Sequence, residues 1–227
     1  MKLALVVLGS LVAAASGQVT TFDNGTEGWS VSGRDNISQF GGNPGANMDV
    51  FLDDVFGADI RNSTSRFTGD YRGRGVLTFT VDIQIDSIQF FFSEVERDLV
   101  VQLRNYNVDG NGTMASIWAP IGTLGAFNPD WTTYSATLDT SAITLPNGWF
   151  GSGDEDPNTF EPILPPGITV QDVLANIDEI AFTTFVPGWF FGFTNFDMSV
   201  DNVGIIPAPA ALATLIGGLG FIGRRRR

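Results

Sequence analysis

The chain contains no histidine and no cysteine, and its one lysine is Lys2. The missing imidazole removes the commonest general acid–base group and the usual activator of Ser and Cys nucleophiles. The missing thiol removes disulfides and thiolate metal sites. A domain outside the cell with neither must be stabilised by its apolar core, helped where available by bound cations. Positive charge is scarce in the middle of the chain. All 25 acidic residues lie between Asp23 and Asp201, against seven arginines. Such a surface repels nucleic acid and anionic lipid but tolerates divalent cations and neutral polymers. Nucleic acid is therefore excluded as a partner. No phosphate-binding glycine loop or nucleophile elbow occurs either. With 227 residues the chain holds one domain, or two small ones, with a substantial core.

Long apolar runs occur only at the two ends. Residues 1–17 combine Lys2, the apolar stretch Leu3–Val12 and small residues at Ala15 and Gly17. This is the pattern of a secretory signal peptide cleaved before Gln18. A buried first helix fits less well, because the run is short and rich in small residues. At the other end, residues 206–223 are apolar or small apart from Thr214, long enough for a transmembrane helix. Arg224, Arg225, Arg226 and Arg227 follow and would hold that end on the cytoplasmic side. Pro207 and Pro209 punctuate the junction.

A short proline motif, a small-residue-rich membrane run and a terminal arginine cluster together resemble the PEP-CTERM sorting signal of exopolysaccharide-producing bacteria. The resemblance covers residues 206–227 and implies processing by an exosortase-type membrane enzyme. Where that signal reads Pro-Glu-Pro, this chain reads Pro207-Ala208-Pro209. A plain C-terminal anchor is the alternative reading. The many small residues favour the sorting signal.

Between the ends, residues 18–205 show the period of strands. In Gly75–Asp86, Leu77, Phe79, Val81, Ile83 and Ile85 alternate with polar residues, which predicts a half-buried antiparallel strand. The next run places Ile88, Phe90 and Phe92 in phase, and the one after it Leu99, Val101 and Leu103. The last puts Phe196, Met198 and Val200 inward and Asp197, Ser199 and Asp201 outward. Gly, Asn, Asp and Pro clusters separate the runs. One helix interrupts them, with Thr169 as cap, Asp172 in its first turn and Val170, Val173, Leu174 and Ile177 on one side. Many strands and one short helix predict an all-β, two-sheet antiparallel jelly-roll sandwich.

Several motifs then become familiar. Thr21–Gly33 resembles the first strand of galactose-binding-like jelly rolls, which include many carbohydrate-binding modules, and Gly41–Ala46 is a common companion. Arg66–Val81, Val170–Phe182 and Met198–Ile205 resemble, in order, segments of the laminin B domain. Arg72 and Arg74 depart from that family's Tyr-Gly-Gly turn, and Trp149–Pro166 has no counterpart in it. The resemblance implies a structural calcium shared by Asp23 and Asp201. The plainer reading makes Asp201 a solvent-facing residue and Asp23 the start of a turn.

Two aromatic loops are candidate sugar platforms: Trp149 and Phe150 beside Asp154, Glu155 and Asp156, and Trp189 beside Phe190 and Phe191. Each has a structural reading, as a core anchor or as closure of one end of the sandwich, and Trp29, Trp118 and Trp131 fit the core. Carboxylate pairs such as Glu94 with Glu96, Asp53 with Asp54, or Glu155 with Glu161 are too common in so acidic a chain to mark a glycosidase. The expectation is an exported, non-enzymatic surface or matrix protein that adheres to polysaccharide or surface proteins. Alternatives are a carbohydrate-binding module and a polysaccharide hydrolase using paired carboxylates.

Overall fold

The computed structural model describes residues 17–208 apart from 33, 35 and 126. The signal-peptide, membrane-helix and arginine-cluster expectations, and Pro209 of the sorting motif, lie outside the described residues. Among the described residues, no helix is long and apolar enough to cross a membrane.

The strands are β1 (Gln18–Thr20), β2 (Ser30–Val31), β3 (Ile37–Gly42), β4 (Gly45–Val55), β5 (Asp59–Asn62), β6 (Val76–Phe90), β7 (Ser93–Glu94) and β8 (Arg97–Asn105). They continue as β9 (Ala115–Leu124), β10 (Asn128–Asp139), β11 (Phe150–Ser152), β12 (Asp154–Glu155), β13 (Pro162–Ile163), β14 (Glu179–Thr183) and β15 (Thr194–Pro207). The first sheet runs β10-β6-β15-β4-β3, with β1 on β15 and β7 on β6; the second runs β11-β9-β8-β14-β5-β2. All pairings are antiparallel. Neighbours such as β6–β15 and β8–β14 are distant in sequence, the long crossovers of a jelly roll.

The alternation seen in the sequence sets this architecture. Leu77, Phe79, Val81, Ile83 and Ile85 of β6 are buried, as are Phe196, Met198 and Val200 beside them on β15. Leu99, Val101, Leu103, Ile180 and Phe182 belong to the same core cluster, supplied by the second sheet. Trp29 stacks edge-on against Phe67 at 5.1 Å, so the laminin-like Arg66–Val81 motif is a core anchor. The helix α1 (Val170–Leu174) is capped as expected: Asp172 N–H donates to Thr169 Oγ1, and Thr169 N–H to Asp172 Oδ2. Ser16–Ala208 is one compact unit whose core is drawn from residues between Phe22 and Ile205, and it carries what a domain needs to fold by itself.

Three sequence expectations change. Residues 76–90 form one continuous strand, not two, and Phe92 falls out of phase at 95% exposure because the chain turns at Phe91–Phe92. Trp149–Pro166, unplaced in sequence, supplies β11, β12 and β13. Ile206 and Pro207, grouped in sequence with the tail, pair with Thr78 and Leu77, so the sheet extends into the segment read as tail. Ala208 N–H adds a bond to Val76 O at 2.8 Å.

Both ends of the domain leave from the same pole, since Gln18 pairs with Ile205. Gly204 permits this: a Cβ there would lie 2.0 Å from Gln18 O. The β6–β7 turn and the start of β15 lie at the opposite pole, where Asn195 pairs with Gln89.

Candidate functional site

The outer face of the second sheet carries an ordered polar and aromatic surface. One cross-strand row runs Phe150, Trp118, Gln102, Ala181 and Arg61; the next runs Ser152, Ser116, Arg104 and Glu179. These are the alternate positions of strands whose other side chains fill the core. Trp118 and Phe150 stack at 4.8 Å, and Phe150 is the more exposed ring. Trp118 Nε1–H is satisfied by Gly151 O at 3.3 Å.

Arg104 organises the polar row. Its Nη2 donates to Asp59 Oδ1 at 3.0 Å, its Nη1 to Glu179 Oε1 at 2.6 Å, and its Nε to Gln102 Oε1 at 2.9 Å. Ala181 sits between Arg104's strand and Asp59's strand, and its methyl leaves room for the guanidinium to cross. Burial on its own would weaken this charge, but Asp59 and Glu179 outweigh it and push the Arg104 pKa upward. Gln102 Nε2 in turn donates to Ser116 Oγ at 2.7 Å, and Tyr106 Oη to Glu179 Oε1 at 2.7 Å. Burial first, then the Glu179 bond, pushes the Tyr106 hydroxyl up to about 12.

A groove of ≈ 320 Å³ opens along this surface, lined by Gln102, Arg104, Tyr106, Met114 and Ser116 among others. It adjoins a depression of ≈ 240 Å³ through their shared Ser152 and Gly153; Asp154, Glu155, Phe160 and Gly188 line the far side. Trp189 follows Gly188 directly and is 73% exposed, so it remains available to a ligand at that end.

Trp149 does not. It is 5% exposed, its ring meets Phe79 edge-on at 6.1 Å, and its Nε1–H donates to Thr137 O. The platform expected on Trp149 and Phe150 is corrected to Phe150 alone: side chains alternate along this segment, so Trp149 is buried in the core and Phe150, the first residue of β11, points outward. Trp118, expected in the core, backs the exposed ring from the outer face.

Asp23 and Asp201 lie elsewhere, Asp201 on β15 of the first sheet and Asp23 in the turn that follows β1. Asp201 pairs with Asp82, and the β3–β4 turn folds over both. Asp201 points away from the core as expected but is fully buried, not solvent-facing, because Asn43 covers it. Its Oδ2 accepts from Asn43 N–H at 2.6 Å and its Oδ1 from Asn202 N–H at 2.7 Å. Asp23 Oδ1 grips the same turn from the other side through Ala46 N–H at 3.0 Å. A side chain at Gly45 would meet that carboxylate at 2.6 Å, in a backbone with φ +101°. Burial, opposed by those two backbone bonds and reinforced by Asp82 and Asp23, raises Asp201 to about 6. Among the described residues, no group of three acidic side chains is arranged to hold a metal ion. The two carboxylates thus meet at one turn, holding it through N–H groups.

The sequence reading missed Gln102, Arg104, Tyr106 and Ser116, while Phe150 was named beside Trp149. The signal was present as Gln102, Arg104 and Tyr106 on alternate positions of an otherwise apolar strand.

No family model and no curated protein matches the chain. Among solved structures, the CBM22-1–GH10 modules of Clostridium thermocellum endo-1,4-β-D-xylanase 10B, complexed with xylohexaose, align at TM-score 0.47 and 14% identity, over 85% of this chain and 29% of that one. The CBM22-2 xylan-binding domain of Paenibacillus barcinonensis Xyn10C aligns at TM-score 0.45 and 10% identity, over 84% and 99%. The family 11 carbohydrate-binding module of the C. thermocellum cellulase Lic26A-Cel5E aligns at TM-score 0.43 and 15% identity, over 92% and 97%. Similarities of this size do not transfer a ligand.

Proposed function

We propose that this chain is an exported, non-catalytic glycan-binding protein that holds a neutral polysaccharide in the groove of the second sheet. The observation that carries the proposal is the pairing of exposed rings, Phe150 and Tyr106, with polar groups already fixed between them. Sugar rings present apolar faces to aromatics and hydroxyls to a preorganised polar set, and such a site loses little entropy on binding. Arg104 is spent on Asp59 and Glu179, so the uncharged Gln102, Ser116 and Ser152 are left to meet hydroxyls. The acidic body disfavours polyanions.

A hydrolase would need two carboxylates opposed across a glycosidic bond. Among the described residues, no carboxylate lines the groove itself, and the buried Asp59 and Glu179 behind it both hold Arg104. This favours binding over cleavage.

Native gels cast with neutral polysaccharides would test the reading. Residues 17–208 are expected to be retarded in at least one gel, with no release of reducing ends. Phe150→Ala should weaken binding about ten- to thirtyfold, while Tyr106→Phe, which keeps the ring, should retain it. Unchanged mobility in every gel, or full retention by Phe150→Ala, would refute the site.

The tail extends the proposal to location. A PEP-CTERM-type signal, processed near Pro207 by an exosortase-type membrane enzyme, would deliver the domain to the cell surface or matrix, with membrane attachment before cleavage. The intact mass of the protein from its native cells is expected to lack Arg224–Arg227; a mass that includes them would leave a permanent anchor. A calcium ion at Asp23 and Asp201 belongs to the same proposal, on the ground that Asp82 and Asp23 both raise Asp201 and its hydrogen-bond partners are neutral amides.

A further inference from the structure

The pole opposite the chain ends is an aromatic strip. Phe91 lies 4.6 Å from Phe90, whose ring a side chain at Gly192 would touch at 2.7 Å; Phe193 and Phe190 both pack on Phe56, at 4.3 and 5.1 Å. Phe185 adjoins Phe56 through Gly57. Together Phe56, Phe91, Phe92, Phe185, Phe190 and Phe193 expose the equivalent of about four free rings, roughly 600–950 Å² at 150–250 Å² each. The largest apolar patch on a typical monomer is about 300–600 Å², and each partner in a standard interface buries about 800 Å².

The turn itself is built against its own preferences. Phe90 pairs with Ser93, leaving Phe91 and Phe92 as the two central residues at φ 46° and 64°. That is the type I′ geometry for which Asn-Gly is the favoured pair, since φ > 0 strains a bulky side chain. Here two phenylalanines occupy it at 79% and 95% exposure. Neither backbone preference nor burial within the domain accounts for them.

We propose that this strip is a homotypic interface through which two copies of the chain join pole to pole. Its area is that of one side of a stable dimer, and it offers aromatic surface with few polar groups to satisfy a glycan. It has no lysine, and Glu94 and Glu96 flank it, so an anionic lipid surface is repelled. The strip lies at the pole opposite Gln18 and Pro207. β15 runs from Thr194 at the strip to Pro207 at the far pole, about 45 Å at 3.3 Å per residue.

Sedimentation velocity on residues 17–208 tests this. Dimerisation is expected by about 200 µM and should strengthen with salt as the acidic rims are screened. The substitution pair Phe91→Asn and Phe92→Gly suits the turn better than the native residues, so the variant should melt at or above the wild-type temperature while dimerising at least about tenfold more weakly. A monomer at every concentration and salt, or an undiminished dimer in the variant, would overturn the proposal. Binding of phosphatidylcholine vesicles by the wild type without dimerisation would do the same, assigning the strip to lipid. The groove lies outside these arms, so the glycan reading stands or falls separately.

Discussion

Arg104→Ala is expected to destabilise the domain by about 3–5 kcal/mol, enough to lower its melting temperature by about 10 °C. The loss does not come from the arginine's own packing alone. Asp59 and Glu179 are 7% and 6% exposed, and removing the cation leaves Glu179 desolvated without a counter-charge and Asp59 with only the solvent-exposed Arg61 at 3.8 Å. Arg104→Lys should recover only part of the loss, because an ammonium cannot reach Asp59, Glu179 and Gln102 together as the planar fork does. A triple variant that pairs Arg104→Met with Asp59→Asn and Glu179→Gln should recover most of it, since the buried charges leave together. Circular-dichroism melts at neutral pH decide the matter. If Arg104→Ala melts within about 2 °C of the wild type, the network is screened by solvent and does not fix the groove. A folded Arg104→Ala is also expected to bind glycan poorly, because Gln102, Ser116 and Tyr106 lose the arrangement Arg104 imposes on them.

The architecture was legible because its signal is periodic and local. Leu77 to Ile85 and Phe196 to Val200 alternate without error, and the Thr169–Asp172 box announces the helix three residues ahead. The site was less legible for a geometric reason. A groove on a sheet is made of outward positions from strands far apart in the chain. Ser152, Ser116, Arg104 and Glu179 form one row only after registers are set. An aromatic loop advertises two rings side by side, and alternation decides which faces out. Trp149 and Phe150 differ only in that parity. The strip at the far pole stayed hidden because the Phe90–Phe92 run reads as strand, and the reversal at Phe91–Phe92 carries none of the Gly or Asn that normally marks a turn. Asp23 and Asp201 were named together on family resemblance alone, and the structure brings both carboxylates to the β3–β4 turn.

Lowering the pH from 7 to about 5 in a chelator is expected to stabilise this protein, against the usual trend for acidic domains. Asp201 is fully buried, and burial first, then Asp82 and Asp23, raises its pKa from 3.8 to about 6. Between those values the folded state binds a proton that the unfolded state does not. Stability therefore falls as pH rises through this window and stays at the lower level above it. The penalty at neutral pH is roughly 2–3 kcal/mol, at 1.36 kcal/mol per pKa unit. Asp197, raised by burial and by Asp86 and Asp49, acts in the same direction. Asp70 and Asp109 have the opposite sign, but both sit near 2 and are solvent-exposed, so their loss appears only at lower pH. A calcium ion at Asp201 would favour the ionised form. Added calcium should then raise the neutral-pH melting temperature and flatten the acid-side gain. A chelator melt that declines steadily from pH 7 to 5 would show that Asp201 is ionised and satisfied by Asn43 and Asn202. A calcium-insensitive rise would keep the buried proton and remove the ion from this turn.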